Sequence, residues 1–306
     1  MSVRIGMGPG LGAELSPQDY WRWVDFCEET GVDSIWHSDQ LLGTTLEPVT
    51  MLAALAARTG RMRFGTNALV VPFRDPVVIA KEFATVDFLS GGRLLPVFGV
   101  GAASDPYWAA TGIDPKERGV RSNEAIALVR RLLEREHVEF EGVHYRYHGP
   151  GVMPRPAKAI PLWIGGNSKV ALRRTAALGD GWLGSLIGPA RAGEARRGIE
   201  AALEETGRSI DSDHYGVTLF LRVGAADDPE VKATRDRLLS RMKQMDRSVG
   251  DDVFAVGTAE EVVKLVRNFV SEGMSKFVAL PMARDIDDLM EQTAILVREV
   301  LPEVEG

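Results

Sequence analysis

The chain has 306 residues, 45% of them hydrophobic and 26% charged, enough apolar material for a large core and a composition that excludes a disordered or fibrous protein. Forty-three acidic side chains against 36 Lys and Arg leave a formal charge of -7, which argues against nucleic acid or an anionic membrane as partner, because both demand a dominant basic surface, and points to a small molecule instead. The length admits two domains or one large α/β barrel.

The first ten residues lack the apolar stretch of a signal peptide, and no apolar run approaches the roughly 18 residues of a membrane span, so a cytoplasmic location is expected. A strand is predicted over Val3–Gly8, leading into the glycine-rich run Gly6 to Gly12. Pro9 and the delay of the first helix until Ser16-Pro17 make that run a loop rather than a dinucleotide-binding turn. Ser16 can cap the helix and Pro17 forfeits a donor that has no partner there. The only cysteine, Cys27, sits among Trp23, Val24 and Phe26 on what reads as a core-facing helix surface, and one thiol can form neither an internal disulfide nor a thiolate cluster.

The second strand, Ser34–Ser38, runs into Asp39-Gln40. Period-2 alternation groups Ile35, His37 and Asp39, so an imidazole and an acid can both point to a barrel mouth; alternatively His37 is a hydrogen-bonded core histidine and Asp39 a loop cap. In the third strand, Arg63–Val71, Asn67 and Ala68 interrupt an apolar run, the mark of a bulge or a ligand contact. Leu89-Ser-Gly-Gly-Arg93 then stops a helix before the fourth strand, Leu94–Gly99. The exit Gly99-Val-Gly101-Ala102 allows a flat ring, or simply another backbone, to approach closely.

An insertion of about sixty residues, roughly 102–160, breaks the rhythm. It holds a helix over Arg118–Glu136 and a hairpin or irregular excursion around Glu141-Gly142, ending in a Pro-rich stretch. His144 and His148, four apart on strand or loop, do not face one metal, and no metal site is expected. The fifth strand, Pro161–Gly165, leads through Gly165-Gly166-Asn167-Ser168 into a helix carrying Lys169, Arg173 and Arg174, which reads either as an anion site at a helix N-terminus or as a plain capped start. Strands over Gly181–Gly184, Tyr215–Val223 and Lys276–Pro281 complete a set of eight, and Thr258 to Glu261 forms a capping box before the last pair of helices. Eight strand–helix units without a long linker predict a single α/β domain over 1–306, a (β/α)8 TIM barrel with an insertion between strands four and five; a doubly wound sheet is the runner-up. No Gly-x-Ser-x-Gly elbow, HExxH or Walker loop occurs.

The stretch from Phe64 to Arg93, with Gly99-Val-Gly101, Trp36-His37-Ser38-Asp39, Gly165 to Ser168, Gly181-Trp182 and Val256 to Glu261, resembles the luciferase-like monooxygenase superfamily, particularly its deazaflavin (coenzyme F-420) dependent oxidoreductase branch. The resemblance covers nearly the whole chain. It implies a flavin or deazaflavin across the barrel mouth, with Asp39 near the ring's polar edge, Gly101 and Ala102 lining the pocket, a cis peptide at Asn67–Ala68 behind the ring, and Gly165, Gly166, Asn167 and Ser168 holding the phosphate. Sugar-phosphate dehydrogenases of that branch place a catalytic His after the strand-two Asp and a Glu after the Gly-x-Gly. Gln40 and Ala102-Ala103 stand there instead, and neither an amide nor a methyl exchanges a proton at neutral pH. His37 and Gln40 remain as catalytic candidates.

The expected activity is hydride transfer between the deazaflavin and a small organic substrate. The alternatives are an FMN-dependent monooxygenase using reduced flavin and oxygen, and a non-catalytic cofactor-binding paralogue. Phe73, Tyr107 and Trp108 can form an aromatic wall, which favours an apolar substrate. Lys169, Arg173 and Arg174 are the basic group nearest the phosphate turn, and the helices over Pro48–Thr59 and Pro76–Leu89 are candidates for a homodimer interface.

Overall fold

A computed structural model describes residues 2–10, 15–244 and 250–304; Gly12 of the glycine-rich run lies outside them. Thirteen strands form in chain order: β1 Arg4–Met7, β2 Ser34–His37, β3 Arg63–Thr66, β4 Leu69–Val70, β5 Leu94–Leu95, β6 Val97–Gly99, β7 His137–Glu141, β8 Arg146–Pro150, β9 Trp163–Gly165, β10 Gly181–Ser185, β11 Tyr215–Val223, β12 Phe254–Gly257 and β13 Lys276–Pro281. The predicted third and fourth strands are each split in two, at Asn67–Ala68 and at Pro96. All pairs outside the β7–β8 hairpin are parallel, and the order β9-β10-β11-β13-β1-β2-β3 is closed by β3 on β5, β4 on β6 and β6 on β9. The result is the expected barrel.

At the split, ladder bonds are replaced by a side chain. Thr66 Oγ1 donates to the Val97 carbonyl at 2.8 Å and accepts from its N–H at 2.9 Å, so strands three and four stay joined across the bulge. One strand was not anticipated: β12 pairs with Phe220–Val223, along the edge of β11 that β10 leaves after Thr218.

The helices are α1 Pro17–Thr30, α2 Pro48–Arg58, α3 Pro76–Ser90, α4 Trp108–Thr111, α5 Arg118–Glu134, α6 Lys169–Leu178, α7 Pro189–Thr206, α8 Pro229–Gln244, α9 Ala259–Ser271 and α10 Ile286–Ile295, and α1, α6 and α9 start at the caps predicted for them. Ser16 accepts from the Asp19 N–H, and Thr258 and Glu261 make a reciprocal capping box. None of the described helices is long and apolar enough to cross a membrane. Between strands and helices lies the main apolar layer, where Cys27 is fully buried beside Trp23 and Val24 and burial pushes its thiol up. Inside the barrel Trp36, Leu95, Val97, Trp163, Leu183, Val278 and Leu280 pack together. Two glycines make room for the indoles: a Cβ on Gly65 would sit 2.6 Å from the Trp36 ring, and one on Gly181 2.3 Å from the Trp163 ring.

Candidate functional site

Trp36 fixes which face of β2 looks inward. Its indole fills the barrel and donates to Ser34 Oγ at 2.9 Å, so Ser34, Trp36 and Ser38 point in, and Ile35 and His37 point to the helical layer. The expectation that His37 and Asp39 reach the mouth is therefore corrected by one residue of parity. His37 is 2% exposed, its Nε2 lies 2.8 Å from the Tyr20 hydroxyl, and burial lowers its pKa to about 4. It is a neutral core imidazole and holds no position in the site.

Asp39 is likewise engaged behind the mouth. Its side chain is 2% exposed and accepts from Arg74 Nη1 at 2.5 Å, Arg74 Nη2 at 3.1 Å and the Val70 N–H at 2.8 Å. Arg74 also reaches Glu47 at 2.9 Å. The carboxylate thus anchors β4 just past the bulge and does not line the cavity, in contrast to the ring contact that the resemblance implies for it.

A cavity of about 790 Å³ opens at the C-terminal ends of the strands, where a barrel places its ligands. Of the residues singled out in the sequence, Gln40, Asn67, Ala68, Gly101, Ala102, Gly165, Gly166, Asn167 and Ser168 all border it. The Asn67–Ala68 bond is cis. Asn67 Oδ1 accepts from the Thr218 hydroxyl at 3.0 Å, tying the bulge to β11 across the barrel. Gly101, at a φ of 71°, turns the chain so that the Ala102 N–H meets Asp105 at 2.9 Å; a Cβ there would lie 3.0 Å from both Trp108 and Val70. Phe73, Tyr107 and Trp108 back this turn rather than the cavity. The Phe73 and Trp108 rings meet at 4.6 Å, and Trp108 Nε1 donates to the Ala102 carbonyl at 2.8 Å.

At the far end both readings of the Gly-Gly-Asn-Ser turn hold together. Ser168 Oγ caps α6 by accepting from the Ala171 N–H, and Asn167 pairs with the Ser185 backbone through both its amide atoms. That leaves the Ser168 hydroxyl proton and the first-turn N–H groups of Lys169 and Val170 without a partner inside the helix. Arg174, 6% exposed, borders the cavity while held by Asn123 Oδ1 at 2.5 Å and the Gly119 carbonyl at 3.3 Å. Burial, with Arg118 close by, pushes its pKa down. Lys169 and Arg173 are exposed and do not border the cavity.

Among the wall residues that sequence reasoning missed are Arg191, Thr218, Phe220 and Leu280. Arg191 lies in the first turn of α7, in the connection after β10, and its place past the C-terminal end of the sixth barrel strand is the signal that marks it. No Asp or Glu borders the cavity among the described residues, whereas two arginines do. In a chain of charge -7 the cavity is locally cationic.

The luciferase-like monooxygenase family matches residues 1–238, and the chain belongs to this family of flavin- and deazaflavin-dependent oxidoreductases. An F-420-dependent glucose-6-phosphate dehydrogenase of Intrasporangium calvum is 26% identical over 317 aligned positions, covering 91% of this chain and 92% of its own length. The enzyme of that name from Amycolatopsis mediterranei is 32% identical over 179 residues, a match that spans 56% of this chain and only 54% of the relative. Among solved structures, an F-420-dependent secondary alcohol dehydrogenase in complex with an F-420–acetone adduct superposes with a TM-score of 0.84 at 20% identity over all of both chains. A monooxygenase from Streptomyces bottropensis gives the same TM-score at 22% identity, over 98% of this chain and 99% of its own. At such identities the likeness is one of fold.

Proposed function

We propose that the protein is a coenzyme F-420-dependent oxidoreductase acting on a small, largely apolar organic substrate. The observation that carries this reading is the charge pattern of the cavity: two arginines and a helix N-terminus at one end, and no carboxylate on its walls among the described residues. That donor set suits a cofactor with a phosphate and a carboxylate tail, and the glycines at 99, 165 and 166 keep Cβ atoms away from the stretch of wall beside Ala68 and Ala171. When bound, the deazaflavin supplies two-electron hydride chemistry. The chain's own work is to bind and orient. Ser168, the first turn of α6, Arg174 and Arg191 hold the anionic end; Val70, Val97, Leu183, Phe220 and Leu280 exclude water; Gln40 and Ser38 offer uncharged hydrogen bonds to a substrate oxygen or nitrogen. With an amide at position 40 and methyls at 102 and 103, sugar-phosphate dehydrogenation by proton exchange at those places is disfavoured, although the relatives bear that name.

One observation favours the FMN reading. Arg174 already bonds Asn123 and Gly119, so of the two arginines only Arg191 has no other partner among the described residues, and a single phosphate would satisfy it. Titrating the protein with oxidised and reduced F-420 and with FMN, by absorbance or fluorescence, separates the cases. Expected is a dissociation constant for F-420 below about 100 μM and well below that for FMN, with Arg191→Ala weakening F-420 roughly fivefold. Tighter FMN binding would move the assignment to a flavin monooxygenase, and no binding of either would remove it. Substrate-dependent loss of the deazaflavin absorbance excludes the non-catalytic alternative.

A further inference from the structure

The β7–β8 hairpin stands apart from the cavity and carries a cluster that the cofactor reading does not use. Strand pairing places Glu139 directly opposite His148, with His137 two residues along on the same outward face. His137 Nε2 and His148 Nδ1 each lie 3.7 Å from the same Glu139 oxygen, and all three donor atoms fall within 4.8 Å of one another. The two imidazole rings meet edge-on at 4.9 Å. Among the described residues none of these side chains has any other hydrogen bond or ion pair.

We propose that His137, Glu139 and His148 form a surface site for one divalent transition-metal ion of the zinc, nickel or copper type. Two imidazoles and a carboxylate match the ligand preference of those ions rather than that of calcium or magnesium, which take oxygen ligands. Bonds of about 2.0–2.1 Å in tetrahedral array put donor atoms roughly 3.3–3.5 Å apart, so the two His–Glu separations of 3.7 Å need only to contract by a few tenths of an ångström, and the His–His separation, within 4.8 Å, closes by rotation of the exposed side chains. Water completes the shell, because the three groups are more than half exposed.

The scaffold beneath the cluster is held rigid. The Glu124 carboxylate on α5 accepts from the N–H groups of Val143, His144 and Tyr145, clamping the hairpin turn onto the helix. Arg131 donates to the Glu139 carbonyl at 2.9 Å and lies over the Phe140 ring. Ligand positions are therefore fixed by the ladder before any ion arrives, and only side-chain torsions must be ordered. His144, the partner that sequence spacing considers for His148, instead turns toward Glu117 at 3.9 Å and is largely buried. The pair that matters is diagonal across two strands.

The test is competition for Zn2+ between untagged protein and a chromophoric chelator near pH 7.5. One ion per chain with a dissociation constant below about 10 μM is expected, with His137→Ala and His148→Ala each weakening it at least tenfold. Glu139→Gln should weaken it severalfold, and His144→Ala should leave it unchanged. Melting temperatures of the variants, all but His144→Ala on exposed side chains, report that they fold. Absence of saturable uptake below about 100 μM, or binding that survives in the His137→Ala/His148→Ala double variant, overturns the site. Neither outcome bears on the F-420 titration, so this site and the cofactor reading fail separately.

Discussion

Replacing Asp39 by Ala tests whether this carboxylate acts through the backbone or by touching the cofactor. The substitution strands Arg74, 14% exposed in its side chain, and leaves the Val70 N–H without its acceptor. Removing one member of a buried pair costs roughly 3–5 kcal/mol; because Arg74 keeps Glu47 at 2.9 Å, the lower end, about 3 kcal/mol, applies. With an unfolding entropy of about 2.1 cal/mol/K per residue, a chain of this length loses roughly 1.5 °C for each kcal/mol, so the melting temperature should fall by about 5 °C. Arg74→Ala should do nearly the same, and the double variant should melt within about 2 °C of the worse single, since the second change removes a partner already lost. Both singles shift Val70, which borders the cavity, so both should weaken cofactor binding by a similar factor. Calorimetry and cofactor titration on the four proteins decide the matter. If Asp39→Ala alone abolished cofactor binding while its melting temperature and the Arg74→Ala affinity stayed at wild-type values, the backbone role would be refuted and direct contact with the ring restored.

Three further changes probe other parts of the molecule. His37, with a folded pKa of about 4 set mainly by burial, is depressed below the ordinary value near 6.5, so its contribution to stability is complete above that value and declines as pH falls toward 4, by up to roughly 3 kcal/mol; His37→Gln should flatten that part of the stability–pH curve in urea melts, and an unchanged acid slope would show that His37 does not titrate there. Because His37 lies outside the cavity, the same variant should leave the pH dependence of turnover near neutrality unaltered. Gly101→Ala, which forces a Cβ at positive φ to within 3.0 Å of Trp108 and Val70, should lower the melting temperature by a few degrees and weaken cofactor binding, and wild-type values for both would contradict the role given to this turn. For a homodimer formed through α3, where Val78, Phe88 and Leu89 are 52%, 69% and 54% exposed, Phe88→Glu should convert the protein to a monomer by light scattering; a wild-type mass that is already monomeric, or an unaltered dimer in the variant, would discard this interface.

Backbone-built features of the site were legible in the sequence because their constraints are local. A glycine needed at positive φ, a small residue in a bulge, or a Ser ahead of a helix leaves its mark within a few positions, as it does at the turns at 101 and 165–168 and at the break at Asn67–Ala68. Eight alternations of short strand and amphipathic helix sufficed for the barrel for the same reason. What local pattern cannot supply is the choice between the two faces of a strand that is buried on both. In β2 the deciding contact is the Trp36 indole against the glycine at 65, nearly thirty residues away, and only that pairing tells that His37 looks outward. The hairpin cluster is illegible for a related reason: Glu139 and His148 are nine positions apart and meet through a register that the turn sets. Arg174 is an intermediate case, found by its nearness to the phosphate turn but oriented by Asn123, fifty-one residues earlier on the insertion helix. The insertion thus does more than lengthen a loop. By holding Arg174 at the cavity's edge, α5 supplies the support for one of its two cations, and loss of the Asn123 amide should free that guanidinium and weaken anion binding without touching the barrel.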